Sequence, residues 1–430
     1  MVGNRQRVPH LSEIEWYRQT QYLLSNIYIS TYTPDVARLK AQLEPNMPSI
    51  NRPLSGITVI DFTRVLAGPY CTALLADMGA EVIKIESMEG DDYRKVGPFF
   101  GGKSALFESV NRGKKSIAMD LKNPEEIKAL RALVGRADVV VENFRPGVMS
   151  KLGLGPEVLR SDNERLVFAS ISGFGQTGPN ATRPAYDIIV QAMSGLMELT
   201  GNEAGNPTMI GEAFGDVAAG VFSSWAIMVA LFERERSGKG RTIDISLFDS
   251  LLAMMPTSGA RVLLANGDPV RTGNKHPLSA PFGVYPAREG FFAVAVLNDR
   301  LFKIFCEVIE RREFGDDPRF ATDAKRRENE PDLAEAIIAW ARDFTAADIV
   351  EILTKAGVPG SVIASARQAW TSAQADHRGL YSFAAARDGS QLPLPEQPAH
   401  FIGDQRGGRT AAPELNEHND EIRALIREAE

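Results

Sequence analysis

Two aspartates stand where a carboxylate can do chemistry. Asp216 lies in IGEAFGDVAAG, directly after Gly215 and at the mouth of the longest apolar run of the chain. Asp187 lies in RPAYDIIVQAMSG, directly after Tyr186 and at the head of another apolar stretch. An aspartate at a helix start accepts hydrogen bonds from the first turn and favours the positive end of the dipole, so both positions read as N-caps. A glycine-flanked aspartate in apolar surroundings can also act as nucleophile or general base. Spacing alone does not choose between the two readings.

Few other tools are present. The 430 residues include only Cys71 and Cys306, too few and too far apart for a disulfide framework or a cysteine zinc cluster. The five histidines, His10, His276, His377, His400 and His418, have no metal-binding spacing, so no metal is expected. A net charge of −7 without blocks of like charge argues against nucleic-acid or anionic-membrane binding. The N-terminus carries acids early and has no apolar signal region. The apolar run from Val217 to Phe232 contains Ser223 and Ser224 and is shorter than the roughly 20 residues a bilayer requires, so it reads as a buried core helix. These features predict a soluble cytoplasmic protein that works with carboxylates.

The elements that must position those carboxylates begin at Leu54. ITVIDF (57–62) and EVIKIE (81–86) are β-rich runs, separated by a helix that opens at Gly68-Pro69 and closes at Gly79. Strands are also expected at 116–120, 138–142, 166–172 and 241–246. A helix starts at Asn123-Pro124, which supplies a capping side chain and a proline in the first turn. A long helix covers 216–236. This alternation predicts an α/β fold with a Rossmann-like, doubly wound parallel sheet. The turns and short strands of 265–300 predict a smaller α+β domain with antiparallel pieces. The expected organisation is a polar N-terminal extension (1–53, helices within 11–44 and a proline-rich linker), a large domain (54–255), a small domain (256–355) and a C-terminal return to the large domain (356–430).

Neither a phosphate-binding G-x-x-x-x-G-K loop nor a G-x-G-x-x-G turn follows the first strand, which argues against a dinucleotide oxidoreductase. The ligand crevice of such a sheet lies beyond the carboxyl ends of its strands. The loops 63–68, 86–94, 142–147 and 172–179 are therefore the first to inspect.

The run DFTRVLAGPYCTALLADMGAEVIKIE (61–86) resembles the opening of the family III CoA transferases, which are related to the α-methylacyl-CoA racemases. The likeness continues through NRGKKSIAMDLKNPEE (111–126), DVVVENFRPGVMSKLGLG (138–155), SISGFGQTGP (170–179), RPAYDIIVQAMSG (183–195) and 215–250, with a looser echo at 271–296. The resemblance implies that Asp216 is the nucleophile, passing through a mixed anhydride and an aspartyl-CoA thioester. Tetrahedral oxyanions would need backbone N–H donors, for which Gly215 and the loop at Gly273 and Asn274 are candidates. CoA would enter as a thioester substrate, with no permanently bound cofactor. Its contacts would be Arg64, Val65 and Leu66, Met119 and Lys122, Asn143, Phe144 and Arg145, and Lys151. These cations suit a polyanionic ligand. Ser87 replaces an arginine common in the family.

In the racemase branch a histidine precedes the second aspartate; here Tyr186 precedes Asp187. A neutral phenol is a poor base but can hydrogen-bond an acyl or carboxylate group, which favours transfer over racemisation. The alternatives are a racemase-like enzyme or a CoA-binding protein without catalysis. The partners implied are an acyl-CoA, a small carboxylic acid and a second copy of the chain in an interlocked homodimer. Arg183 and Arg271 are candidates to pair a second carboxylate of the acceptor.

Overall fold

The computed structural model describes residues 52–386, 389–402 and 408–429. The helices expected within 11–44 lie outside the described residues.

Six strands form the central sheet: β1 (Thr58–Asp61), β2 (Glu81–Glu86), β3 (Lys115–Ala118), β4 (Val139–Glu142), β5 (Val167–Ser172) and β6 (Thr242–Ser246). Their order is β3-β2-β1-β4-β5-β6, and every neighbouring pair is parallel. The alternation of side chains along each strand divides the interior into two layers. Val59, Val139, Val141 and Val167 face one layer, packed with Leu75, Ile227 and Leu231. Ile60, Ile83, Ile117, Val140 and Phe168 face the other, packed with Leu130, Leu133, Ile422 and Ile426. Complete burial of each such aliphatic side chain contributes about 1.5–3 kcal/mol.

The helices that cover the sheet are α1 (Ala67–Asp77), α2 (Ala105–Asn111), α3 (Pro124–Val134), α4 (Pro156–Asp162), α5 (Asp187–Met193), α6 (Phe214–Ser237), α7 (Leu247–Ala253) and α8 (Asn419–Ala429). Helix α3 starts as its sequence predicts: the Asn123 side chain accepts a hydrogen bond from the Glu125 N–H, with Pro124 following. Helix α6 crosses α1 at Gly220, where a Cβ would stand 2.8 Å from the Ala67 carbonyl oxygen. Only a glycine permits that approach.

Helix α6, expected as a buried core helix, packs one face into the core and leaves the other exposed. Ala219, Ser223, Ile227 and Leu231 form its packed face. Trp225 and Phe232 are 63% and 69% exposed, with Val221 and Val229 beside them. Among the described residues α6 is the one helix long and apolar enough to cross a membrane, and 44% of its apolar window is buried within the chain.

A second, antiparallel sheet is built from β7 (Phe282–Pro286), β8 (Phe291–Ala295) and β9 (Gly360–Val362), in the order β9-β8-β7. Its core gathers Tyr285, Phe292 and Val294 with Phe305, Leu333, Ile337 and Ile349 from helices 299–308, 330–341 and 346–355. A hairpin, β10 (Tyr381–Ala385) and β11 (Gln391–Pro395), follows. The chain then reaches the open edge of the large sheet. The His418 N–H donates to the Ser116 carbonyl at 2.9 Å, and Asn416 Oδ1 accepts from the Ala118 N–H at 2.9 Å. Groups that an edge strand would otherwise leave unpaired are satisfied there.

Candidate active site

The strand order reverses between β1 and β4, and the loops leaving those two strands are joined by a pair of amide hydrogen bonds. The Arg64 N–H donates to Asn143 Oδ1 at 2.9 Å, and Asn143 Nδ2 donates to the Arg64 carbonyl at 2.8 Å. The Arg64 guanidinium lies 5.9 Å from the Phe144 ring centroid. A ligand crevice is expected at such a switch point. Arg64, Arg145, Lys122 and Lys151 are exposed at the carboxyl ends of β1, β4 and β3 or just beyond, whereas Met119 is buried beneath them. Leu66 is half-buried and immediately precedes α1. Glu142, at the end of β4, accepts from the Phe144 N–H at 2.8 Å; burial pushes its carboxyl up to about 7 despite that bond and one to Ser170.

Below the first turn lies a buried set of charges. Asp61 accepts from the hydroxyls of Thr63 (2.5 Å) and Thr72 (2.7 Å) and from Lys114 Nζ (3.0 Å). Burial would raise the Asp61 pKa, but Lys114 and Lys84 hold it below the usual carboxylate range. Lys114 is driven down to about 8 by burial, which Asp61 offsets only in part. Cys71, between these groups and α6, is buried, and burial pushes its thiol well above the ordinary range.

Asp187 and Asp216 come together on adjacent helix starts. Asp216 is the third residue of α6, and Asp187 the first of α5. Neither is the N-cap of its own helix; those positions are Ala213 and Tyr186. Asp187 instead caps the other helix, with Oδ1 accepting from the N–H groups of Gly215 (2.7 Å) and Asp216 (3.3 Å). Its Oδ2 accepts from Gln191 Nε2 at 2.6 Å. Gln191 is itself fixed, its Oε1 accepting from the Ile210 N–H at 3.0 Å. Burial, then the neighbouring Asp187 charge, push the Asp216 carboxyl up to about 7. The Gly215 N–H expected to face an oxyanion is thus already engaged by Asp187. What the glycine supplies is room: a Cβ there would stand 3.0 Å from Asp187 Oδ1.

The other expected residues are more dispersed. Tyr186 is 76% exposed, beside half-buried Asp187. Arg183 is exposed, its guanidinium 6.0 Å from the Phe174 centroid. Gly273 sits at φ 60° in a turn against Asn202, and the neighbouring Asn274 carbonyl accepts from the Val284 N–H at 3.0 Å. Arg271 is paired with Glu198 at 2.8 Å, so its charge is already matched within the chain.

Tyr93, in the 86–94 loop after β2, joins the candidates only through the structure. Its half-buried phenol is pushed up by burial and then by the charges of Asp216, Asp91, Glu212 and Asp187. The available signal was only the loop's place after β2.

The fold is a doubly wound α/β sheet with basic turns at its switch point and a half-buried aspartate at a helix start. Comparison with known proteins identifies the family. Residues 54–419 match the model of CoA-transferase family III. The acetyl-CoA:oxalate CoA-transferase of Acetobacter aceti is 41% identical over 374 residues, covering 86% of this chain and 95% of the relative. The succinate–glutarate CoA-transferase of Agrobacterium fabrum is 38% identical over 389 residues, covering 89% and 97%. A crystal structure of a CAIB/BAIF family protein from Brucella suis superposes with a TM-score of 0.78 at 37% identity, covering 88% of this chain and 100% of that one. The chain belongs to CoA-transferase family III and is an enzyme of this type.

Proposed function

We propose that the protein moves CoA from an acyl-CoA to a short dicarboxylic acid, with Asp216 as the covalent nucleophile. The Asp216 carboxylate attacks the thioester carbonyl, forming a mixed anhydride and releasing CoA thiolate. The thiolate attacks the aspartyl carbonyl of the anhydride, which frees the donor acid and leaves an aspartyl-CoA thioester. The acceptor carboxylate attacks that thioester and again expels CoA thiolate. Thiolate attack on the acceptor carbonyl of the second anhydride yields the new acyl-CoA and restores Asp216. The thioester's energy stays in covalent bonds throughout.

The observation that carries this reading is the environment of Asp216: partly desolvated, raised to about 7, and seated in the first turn of a 24-residue helix. Such a carboxylate is ionised just above neutral pH, and losing part of its water shell makes it a better nucleophile. The helix dipole favours negative charge on the tetrahedral intermediates. Arg64, Arg145, Lys122 and Lys151 would meet the CoA phosphates, and the Arg64–Asn143 pair would hold the first turn against the cofactor portion. Tyr186, exposed beside Asp187, would bond the acyl or carboxylate group.

A dicarboxylic acceptor is supported by the relatives named for oxalate and for succinate and glutarate. The exposed apolar stripe of α6 supports a homodimer, and the charge pattern argues against nucleic-acid or membrane partners. We place the enzyme in the cytoplasm, without a permanent cofactor.

The test is a panel of acyl-CoA donors and dicarboxylic acids read by mass spectrometry, repeated with hydroxylamine present during turnover. CoA exchange with a hydroxamate at Asp216 is the expected result. Exchange without modification of Asp216 would overturn the covalent route. Solvent deuterium entering the acyl α-carbon without exchange would replace transfer by racemisation.

A further inference from the structure

A buried ion pair that the mechanism above does not use connects two segments of the site. Lys84 on β2 is fully buried, and its Nζ lies 2.9 Å from Asp91 Oδ2. The same Nζ donates to the Thr63 carbonyl at 2.7 Å, inside the first turn after β1. Asp91 is also buried, and its Oδ1 accepts from two backbone groups: the Val65 N–H at 3.1 Å and the Tyr93 N–H at 3.0 Å. Its own N–H donates to Glu86 Oε2 at 3.0 Å, and Glu86 is gripped by Arg94 through Nε at 2.8 Å.

Val65 stands at φ 69°. A β-branched residue in the left-handed region is strained and persists only where its surroundings hold it there. The hydrogen bond from its N–H to Asp91 is such a hold, and Lys84 ties Asp91 to the Thr63 carbonyl, two residues before Val65. Asp91 at the same time fixes the backbone of Tyr93, whose phenol lies within the field of Asp216. One carboxylate therefore couples the turn expected to meet CoA with a loop whose Tyr93 phenol feels the charges of the aspartate pair.

We infer that Asp91, anchored by Lys84, is a positioning residue that sets the Val65 turn for acyl-CoA and keeps the Tyr93 loop in register with it. The inference rests on the proposed use of the first turn as a CoA contact. Asp91 touches no reacting atom. Its influence is on thioester binding, whereas acceptor binding depends on other groups.

Asp91→Asn tests this with little change in volume. The substitution keeps an acceptor oxygen but removes the charge that holds Lys84. The KM for acyl-CoA and the dissociation constant of free CoA should each rise about tenfold, while the acceptor KM stays within about twofold. Hydrogen exchange supplies a readout independent of activity: the Val65 and Tyr93 amides should lose protection together. Asp91→Ala should exceed Asn in both effects; should it not fold, the Asn variant decides alone. Unchanged CoA affinity, or Val65 and Tyr93 amides as protected as in the wild type, would overturn the positioning role. A wild type that binds no CoA would instead overturn the functional reading. Joint loss of amide protection would then still establish the coupling by Asp91.

Discussion

Asp187 caps the helix that carries Asp216, accepting from the Gly215 N–H at 2.7 Å and the Asp216 N–H at 3.3 Å. One carboxylate thereby fixes the backbone of the other while its charge opposes the other's ionisation. The two effects separate by substitution. Asp187→Asn keeps an oxygen for the cap but removes the charge. On the proposed route Asp216 attacks as the carboxylate, so activity should rise with pH through its pKa of about 7. In the Asn variant that acidic limb should move to lower pH, with kcat on the alkaline plateau changing little. Asp187→Ala also loses the cap, at about 1 kcal/mol of stability. A pH profile of kcat/KM checks the charge effect and a thermal melt of Asp187→Ala the cap; an unmoved acidic limb in Asp187→Asn would contradict the coupling.

The raised pKa of Asp216 has a consequence for stability. Its folded pKa lies above the unfolded one, so its contribution is fully favourable below about pH 4 and is lost as pH rises through about 7. Above that, the folded state bears the cost of an ionised, desolvated carboxylate. Asp216→Asn should therefore melt higher than the wild type at pH 8, and the difference should vanish near pH 4. The gain should be about 2–4 kcal/mol at pH 8, since a tenfold change in proton affinity is ~1.4 kcal/mol. The same variant should lose ~10³-fold or more in kcat. Thermal melts at the two pH values and single-turnover assays test the two halves independently.

The sheet was legible because its strands are local β-branched runs, and ITVIDF and DVVVE identify themselves without neighbours. Helix α3 announced its start through Asn123-Pro124. Asp187 carries the same kind of local cue and does cap a helix, but another one, 28 positions along the chain at Gly215. Sequence spacing cannot report which helix start a carboxylate reaches. Tyr93 is hidden for a related reason: the charge of Asp216 bears on its phenol only in the folded chain, across segments more than a hundred residues apart. The exposed stripe of α6 was hidden differently. An apolar run with polar residues only at Ser223 and Ser224 does not reveal which of its faces packs on α1.

Asn143 offers a test of the switch-point crevice. Its side chain satisfies the Arg64 N–H and carbonyl together, so no single smaller side chain replaces it. Asn143→Ala should free the first turn, raise the KM for acyl-CoA by about five- to fiftyfold, and leave the acceptor KM nearly unchanged. Asn143→Asp keeps an acceptor for the Arg64 N–H but loses the donor and adds repulsion toward CoA phosphate, so it should be no better. Initial rates with each substrate varied in turn would show the split, and an equal rise in both KM values would speak against a crevice here.

Helix α6 supplies the last prediction. Trp225, Val229 and Phe232 follow one another at helical spacing on the exposed face, opposite the face that packs on α1. In the proposed homodimer a second copy of the chain would cover this continuous apolar stripe. The same helix carries Asp216 in its first turn, so a partner covering the stripe would also steady the backbone of the proposed nucleophile. Light scattering should give a dimer for the wild type. Trp225→Asp with Phe232→Asp removes two large anchors, each worth about 1.5–3 kcal/mol on burial, and should weaken association at least ~10²-fold. Neither residue belongs to the packed face of α6, so the monomeric variant should keep its secondary structure while losing transfer activity. A wild type that stays monomeric at high concentration, or a double variant that remains dimeric, would assign the stripe another role.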